Sequence, residues 1–230
     1  MALIIDTETT GLPERVNPNI RINPNYKNIN KYDNCRVVQL CFMLCDENLQ
    51  KIETKNYIIK KNGFDINNSE FHGITNEISN NNGIDFNIVC NDFLNYLTKI
   101  SHIIAHNIDF DINVLKSELF RIGKQNIIDE IDKKILFCSM INTTNIVNCN
   151  GRYPSLAKLY KFSTNNDITN AHNAEYDVIN LHEALVCLQN QNKLFIKDIN
   201  FNNISESEII DSENKLDYIH IDLCKKRKLI

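Results

Sequence analysis

The sequence predicts an α/β fold, in which helices cover a β-sheet. Three strand-like segments come before the first clear helix, at residues 2–6, 36–45 and 52–60, and this order suggests an antiparallel start to the sheet. Helical and strand-like segments follow one another afterwards, as they do when helices pack on a sheet. A chain of 230 residues is long enough for one domain with a sizeable core. We expect this domain over residues 1–195 and a C-terminal extension over 196–230.

A polar, asparagine-rich stretch at residues 13–35 separates the first two predicted strands. Connections inside compact domains are usually shorter, and long ones are commonly functional loops or disordered segments. We therefore expect this stretch to be either a mobile flap beside a functional site or a disordered segment.

The first long helix is predicted near residues 85–100. Its apolar side chains recur at helical spacing and should pack on the sheet: Phe86, Val89, Cys90, Phe93, Leu94, Leu97 and Ile100. A buried strand at 102–106 then leads into a helix at about 109–122. Gly123 is the expected stop of that helix, because glycine readily adopts the left-handed conformation that ends helices.

The region 126–162 is less regular. We expect short helices there and one more strand around Leu136-Phe137-Cys138. The last helix of the domain is predicted at about 173–190. Apolar residues recur through it at Ala174, Val178, Leu181, Leu185 and Leu188.

Two acids lie one residue apart at the end of the first strand, in the segment Leu3-Ile4-Ile5-Asp6-Thr7-Glu8. Side chains alternate along a strand, so Asp6 and Glu8 should share one face. Burying two like charges is costly unless a cation neutralises them, and hard divalent ions prefer carboxylate oxygens. A metal site is therefore the first hypothesis, and an ordinary buried strand leading into an acidic turn is the alternative.

Two later motifs add further acids. The first is His106-Asn107-Ile108-Asp109-Phe110-Asp111, where a buried strand runs into a helix, and the second is His172-Asn173-Ala174-Glu175-Tyr176-Asp177, at the start of the last helix. A fourth phrase, Phe71-His72-Gly73-Ile74-Thr75, lies between the first two acidic motifs. With these four ordered blocks the sequence resembles the DEDDh 3′–5′ exonucleases over about residues 1–190. That family includes proofreading subunits of the DNA polymerase III epsilon type, TREX-type exonucleases, RNase T and oligoribonuclease.

The resemblance implies an RNase H-like exonuclease fold, with a central mixed five-stranded sheet flanked by helices. It also implies a site that holds two divalent ions, Mg²⁺ or Mn²⁺, on four carboxylates: Asp6, Glu8, Asp111 and Asp177. In that site Asp6 would bridge both ions, and His172 would be the general base that takes a proton from the attacking water. Histidine suits this role because an imidazole with an ordinary pKa near 6.5 is largely neutral at neutral pH. Since His172 precedes the helix, we expect it to become ordered only with metal and substrate bound.

Two other acids compete with these ligands. Asp109 lies near the same helix start as Asp111, but a carboxylate there also complements the positive end of the helix dipole. In the resembling family the ligand directly follows the aromatic residue, which favours Asp111. Glu175 is interpreted as a solvated helix residue, because Asp177 has the five-residue offset from His172 that the family shows.

Contacts with substrate are also implied by the resemblance. The backbone from Thr9 to Leu12 would meet the terminal 3′-hydroxyl, and the Leu12 side chain would wedge between the last two bases. The other expected contacts are Gly11, His72, Ile74, Asn107 and Phe110. Core packing is the alternative for Leu12 and Ile74, and a turn-stabilising role is the alternative for His72. His102, His182 and His220 match no motif and are expected at the surface or in the core.

Composition limits the possible functions. The net charge of −4 and pI near 5.9 argue against a broad basic surface that grips long duplexes, although an enzyme that holds a terminal nucleotide needs none. The eight cysteines include no Cys-x-x-Cys pair, which argues against a zinc site. Cys41 and Cys45 are expected to point into the core as small hydrophobes.

Location and partners follow from a few further features. We expect a soluble, intracellular protein with reduced thiols, since no signal peptide and no membrane-spanning run is evident. The basic cluster Lys225-Lys226-Arg227-Lys228 is either a nuclear-import signal, a phosphate-binding arm or a solvated tail, which leaves cytoplasm and nucleus open. The expected partner is a nucleic acid 3′ end, with DNA favoured over RNA, and a DNA polymerase or a replication or repair complex is a possible second partner. A module that kept the fold and lost catalysis is the remaining alternative.

Overall fold

The computed structural model describes residues 1–14, 23–169 and 172–196. Its centre is a five-stranded mixed sheet with helices on both faces, which confirms the predicted fold class. In chain order the strands are β1 (Ala2–Thr9), β2 (Val37–Cys45), β3 (Lys51–Ile58), β4 (His102–Ala105) and β5 (Ile135–Cys138). Their spatial order is β3-β2-β1-β4-β5. The pairs β1–β2 and β2–β3 are antiparallel, and β1–β4 and β4–β5 are parallel, so the predicted antiparallel start is confirmed.

The helices lie between and after the strands. They are α1 (Ser69–His72), α2 (Asn76–Asn82), α3 (Phe86–Leu97), α4 (Ile108–Arg121), α5 (Gln125–Asp132), α6 (Ser139–Asn142), α7 (Thr144–Val147), α8 (Leu156–Thr164) and α9 (Ala174–Asn190), with a 3₁₀ helix at Ile29–Tyr32. The less regular region 126–162 thus contains the expected short helices and the expected strand, β5. At the end of α4, Gly123 has a φ of +70°, as the prediction of a glycine stop requires. No helix in the described part of the chain is long and apolar enough to cross a membrane.

Alternation along the strands builds a separate core on each face of the sheet. Leu3, Ile5 and Phe42 pack on one face with α3, α4 and α5. Ile4, Cys41 and Cys45 pack on the other face with α8 and α9, so both cysteines enter the same core as predicted. Since Asp6 and Glu8 continue the even-numbered face of β1, they point toward the α9 side of the sheet.

Residues 29–33 of the 13–35 stretch pack on α4, and a role of the stretch as a flap beside the site stays a prediction. Tyr32 is completely buried, and its hydroxyl donates a hydrogen bond to the Pro24 carbonyl. Arg121 of α4 donates to the Ile29 carbonyl and forms an ion pair with Asp33. A large buried aromatic ring anchors this connection, which the polar composition of the stretch conceals. Residues 15–22, the remainder of the predicted flap, lie outside the described part, as does the C-terminal segment 197–230 with its basic cluster.

Candidate active site

Two of the predicted metal ligands lie on the central strand β1, beyond the point where the neighbouring strand β4 ends. β1 pairs with β4 only through residues 2–4, so Asp6 and Glu8 lie beyond that pairing. On its other side β1 stays paired with β2, where Glu8 is opposite Gln39 and a register shift follows at Thr9. Pairing with β2 therefore holds the backbone of Asp6 and Glu8 in place. The other edge of β1 is unpaired at these two residues, because β4 has already ended.

The start of α9 brings a third acid to the same place. The Asn173 side chain accepts from the Glu175 amide and caps the helix, and the Asp177 amide donates to the Asn173 carbonyl. The Gln39 side chain of β2 accepts a hydrogen bond of 3.3 Å from the Ala174 amide, which ties the helix start to the sheet. One carboxylate oxygen each of Asp6, Glu8 and Asp177 then lie within 4.8 Å of one another. Such a group of hard oxygen donors can hold a divalent cation.

Asp111 approaches the cluster from the opposite side. It lies in the first turn of α4, is 2% exposed, and accepts two hydrogen bonds on its Oδ1 from Thr7 of β1. It is not one of the three carboxylates that meet within 4.8 Å. Its charge nevertheless raises the pKa values of Asp6 and Glu8, so the fourth acid is an electrostatic neighbour of the other three.

All four acids have raised pKa values in the metal-free protein, because burial disfavours their ionised form. Burial raises the pKa of Glu8 to about 7, with further contributions from Asp177 and Asp111. Burial also raises the pKa of Asp111 to about 7, against the opposing effect of its hydrogen bonds from Thr7. The pKa of Asp6 is raised well above its ordinary value, first by burial and then by the three neighbouring acids. Burial raises the pKa of Asp177 as well. A bound cation would reverse this balance by stabilising the ionised carboxylates.

His172 lies directly before α9 with its side chain exposed. Its backbone adopts a φ of +66°, and its amide donates a hydrogen bond of 3.3 Å to Asp177 Oδ2. Residues 170 and 171 lie outside the described part of the chain. The imidazole is therefore beside the acidic cluster in sequence and in space, without a side-chain hydrogen bond in the described structure.

Three of the predicted substrate contacts lie at the end of β1 and just after it. Thr9 Oγ1 donates to the Gly11 carbonyl at 2.7 Å. A Cβ on Gly11 would lie 2.7 Å from the Asn34 carbonyl oxygen, so the residue must be glycine for the chain to pass so close. Leu12 is 64% exposed, which makes its alternative interpretation as a core residue wrong.

His72 and Ile74 form a turn beside that segment. His72 Nδ1 accepts from the Ile74 amide, and Nε2 lies 3.3 Å from Asn68 Oδ1, while the Asn68 side chain donates to the Thr9 carbonyl. Ile74 is 4% exposed and packs with Val38 and Ile66 in a small cluster. These contacts agree with the alternative interpretations, in which His72 stabilises a turn and Ile74 packs in the core. Direct contact of either residue with a nucleotide stays a prediction.

The remaining predicted residues lie at two helix starts. Asn107, directly before α4, is exposed with a φ of +72°, and the partly buried Phe110 packs against the core. Asp109 is exposed and accepts hydrogen bonds from Asn23 and Asn113. Glu175 accepts one from Asn56. Neither Asp109 nor Glu175 is among the three carboxylates that meet within 4.8 Å, and Asp111 is not among them either. The choice of Asp111 over Asp109 as a metal ligand stays a prediction.

Sequence reasoning missed several residues that build the site. Thr7 holds Asp111, Gln39 holds the start of α9, and Asn68 joins the His72 turn to Thr9. His106 bridges Ser139 Oγ and the Pro154 carbonyl, and burial lowers its pKa to about 4. Thr7 and His106 lie inside motifs that the sequence analysis singled out, but no spacing rule indicates their partners.

The chain resembles known exonucleases in sequence family and in fold. The family model RNase_T, described as an exonuclease, matches residues 3–185. The zinc-bound Escherichia coli exonuclease I in complex with single-stranded DNA is 17% identical, with a TM-score of 0.64, and the match covers 84% of this chain and 42% of that one. Exonuclease I from Methylocaldum szegediense is 19% identical, with a TM-score of 0.60 and coverages of 84% and 41%.

Exonuclease X, solved with duplex DNA that has a 5′ overhang, is 17% identical, with a TM-score of 0.52 and coverages of 85% and 95%. This chain thus spans less than half the length of the exonuclease I chains and nearly all of exonuclease X. At these identities the solved structures share the fold. A search of curated protein sequences finds no match. The family model covers most of the chain, and the chain therefore belongs to the RNase_T exonuclease family.

Proposed function

We propose that this protein is a divalent-metal-dependent 3′–5′ exonuclease that releases nucleoside 5′-monophosphates from the 3′ ends of DNA. The observation that carries the proposal is the convergence of the Asp6, Glu8 and Asp177 carboxylates within 4.8 Å, at the open end of the sheet. A fold-stabilising role would not gather three acids and raise their pKa values by burial, since unpaired buried charges are destabilising.

The four carboxylates fit a pair of divalent ions. By resemblance to the family, Asp6 would be a ligand of both ions, Glu8 and Asp177 would be further ligands of one ion, and Asp111 would hold the other ion directly or through water. Bound there, two such ions would favour a deprotonated water and would neutralise negative charge on the phosphoryl oxygens and the leaving oxygen. Carboxylates suit Mg²⁺ because this ion keeps several waters and takes its other ligands from acids and phosphate. Mn²⁺ would serve as well.

His172 is the residue that we assign as general base. Its side chain is exposed beside the acidic cluster, and only its amide is engaged, with Asp177. An imidazole in this position can accept the proton of the attacking water while Asp177 stays available to the metal.

The substrate would be bound by its terminal nucleotide. The exposed Leu12 side chain would wedge against a base, and the Thr9–Gly11 backbone, which follows Glu8 at the end of β1, would meet the terminal 3′-hydroxyl. DNA is favoured because the sequence phrases around Asp6 and His72 resemble the proofreading and TREX-like branches, and because the similar structures include exonucleases solved with DNA. Action in proofreading, repair or end trimming, beside a polymerase or alone, belongs to the same proposal.

A mutant-sensitive assay tests the proposal. The full chain is incubated with 5′-labelled DNA and RNA oligonucleotides of matched sequence in Mg²⁺, with the Asp6→Ala variant in parallel. A ladder that shortens from the 3′ end of DNA, absent with Asp6→Ala, is the expected result. Shortening of RNA alone would assign an exoribonuclease, the second candidate, whose pocket accepts a 2′-hydroxyl. If neither oligonucleotide gives a product that is lost with Asp6→Ala, the proposed enzymatic activity is contradicted and a binding role is favoured.

A further inference from the structure

Thr7 lies between the two acids of β1, but its side chain points to the other face of the strand. Because side chains alternate along a strand, Asp6 and Glu8 face α9 whereas Thr7 faces the side from which α4 approaches. Thr7 is 6% exposed. Its position makes it the point where the central strand meets the first turn of α4, which carries Asp111.

Both donors of Thr7 converge on one oxygen of Asp111. The Thr7 hydroxyl donates to Asp111 Oδ1 at 2.8 Å, and the Thr7 amide donates to the same atom at 3.1 Å. A carboxylate oxygen offers about two lone pairs, so these two hydrogen bonds occupy Oδ1. Oδ2 is then the oxygen that is left to face a cation. Two donors on one oxygen also fix the plane of the carboxylate, because rotation about χ2 would break both bonds.

The Thr7 hydroxyl provides a second hydrogen-bond donor, which the backbone of the strand does not provide. Any residue other than proline at position 7 would present the amide, but only a hydroxyl-bearing side chain of this length adds the second donor. Asp111 is 2% exposed, so water cannot easily replace a lost donor. Hydrogen-bond partners of this kind orient ligands in metal sites and influence the affinity for the ion.

We propose that the Thr7 hydroxyl is a positioning group that makes Asp111 a one-oxygen metal ligand through Oδ2 and thereby sets the affinity of the ion held by Asp111. This inference rests on the proposed metal-dependent function. Asp111 lies outside the group of three carboxylates that already meet within 4.8 Å, so an ion held by Asp111 would have fewer protein ligands and would depend more on the orientation of this one acid.

The test compares Thr7→Val, which keeps the side-chain shape and removes the donor, with Thr7→Ser, which keeps the donor. Mn²⁺ binding to the full-length protein without nucleic acid is measured by titration calorimetry and by electron paramagnetic resonance. We expect Thr7→Val to weaken one of two Mn²⁺ equilibria by about 10–100-fold, the usual effect of losing a partner of a metal ligand. Thr7→Ser should stay within about threefold of the unsubstituted protein, since the donor is retained.

Two controls separate positioning from folding. Thr143→Val removes another buried threonine hydroxyl, which donates to the Ser139 carbonyl, and it should leave both Mn²⁺ equilibria unchanged. In an Asp111→Asn background, Thr7→Val should cause no further loss of Mn²⁺ affinity, because the effect of Thr7 passes through the Asp111 carboxylate. Melting temperatures of the metal-free variants identify any that are partly unfolded.

Each outcome decides the inference. Wild-type Mn²⁺ affinity in folded Thr7→Val overturns it, and so does equal loss in Thr7→Val and Thr7→Ser, or an additive loss in the double variant. Absence of Mn²⁺ binding by the unsubstituted protein at millimolar concentration would overturn it together with the proposed metal site. Normal Mn²⁺ binding without hydrolysis of any oligonucleotide would contradict the proposed function alone and leave the role of Thr7 standing.

Discussion

The two sides of the acidic site differ in how firmly the protein holds them. On the α4 side, Asp111 is buried and its Oδ1 accepts two hydrogen bonds from Thr7. The same helix carries Glu118, which binds the guanidinium of Arg36 through two hydrogen bonds of 2.5 and 3.0 Å. On the α9 side, His172 is exposed, and only its amide is engaged, by a single 3.3 Å hydrogen bond with Asp177.

This difference indicates a division of labour. A carboxylate whose orientation is fixed before the ion arrives loses little entropy on binding, so the α4 side can act as a preorganised template. A general base has to approach a water whose position is set by metal and substrate, so the α9 side gains from being completed by them. We therefore expect perturbations on the α9 side to change turnover and perturbations on the α4 side to change stability and metal affinity.

The largest effect should come from His172→Ala on the α9 side. Loss of a general base should lower kcat by about 10²–10⁴-fold, while KM and the Mg²⁺ concentration for half-maximal activity stay near their original values. His102→Ala is the matched control, because His102 lies at the far end of β4 and contacts Ser101. Steady-state kinetics on a 5′-labelled oligonucleotide provide the measurement. An unchanged kcat would exclude His172 as the general base. The α9 side would then contribute to catalysis only by binding metal through Asp177.

The next effect concerns stability on the α4 side. The side chains of Arg36 and Glu118 are 14% and 6% exposed, and Arg36 also stacks on Phe64 at 4.5 Å from the ring centroid. Removing one partner leaves a poorly solvated charge, so Glu118→Ala should lower the free energy of unfolding by about 3 kcal/mol in urea denaturation.

An exposed ion pair serves as the control for the buried Arg36–Glu118 pair. Lys161 and Asp167 form an ion pair in which the side chains are 50% and 86% exposed. Asp167→Ala should therefore change the free energy of unfolding by less than about 1 kcal/mol. Similar losses in Glu118→Ala and Asp167→Ala would show that the α4 side is not held by its buried ion pair.

A smaller effect should appear in amide hydrogen exchange. With Mn²⁺ and thymidine 5′-monophosphate, the amides of residues 172–177 should exchange about tenfold more slowly, equivalent to about 1.4 kcal/mol of added local stability. Amides of residues 111–118 in α4 should change by less than about twofold, since that side is already in place without ligands. Equal protection of both segments would break the comparison between the two sides.

The sequence predicted the local parts of this arrangement. Strand alternation placed Asp6 and Glu8 on one face, helical spacing predicted α4 and α9, and Gly123 marked the end of α4. These features depend on neighbours in the chain, so periodicity and propensity suffice to find them. The family blocks also singled out Asp6, Glu8 and Asp177, whose carboxylates meet within 4.8 Å, whereas the role of Asp111 as a fourth ligand stays a prediction.

The long-range parts could not be predicted in the same way. The Thr7–Asp111 hydrogen bonds join residues 104 positions apart, and the Arg36–Glu118 pair joins residues 82 positions apart. No local pattern specifies either partner, since both depend on how α4 docks against the sheet. The burial of Tyr32 within an asparagine-rich stretch is similar, because a single buried ring is enough to anchor a segment whose average composition is polar.

The last expected effect concerns β1, the strand on which both sides converge. The pKa of Glu8 is raised to about 7 in the folded protein, from an ordinary value near 4.5, chiefly by burial. The metal-free folded state therefore binds more protons than the unfolded state between about pH 4 and pH 7, so stability falls as pH rises through that window. Metal binding should oppose this loss, because ligation stabilises the ionised carboxylate.

Melting temperatures can test this charge balance directly. Glu8→Gln should melt higher than the unsubstituted protein at pH 8 without metal, by about 2–4 °C for each kcal/mol of relieved burial cost, and the difference should vanish near pH 4. Added Mg²⁺ should raise the melting temperature of the unsubstituted protein more at pH 8 than at pH 5.5, and should raise that of Glu8→Gln less at both. A Mg²⁺ effect that is independent of pH would mean that the ion binds away from both Glu8 and Asp111, because the pKa of each carboxyl is raised to about 7 and ligation would have to displace its proton at pH 5.5.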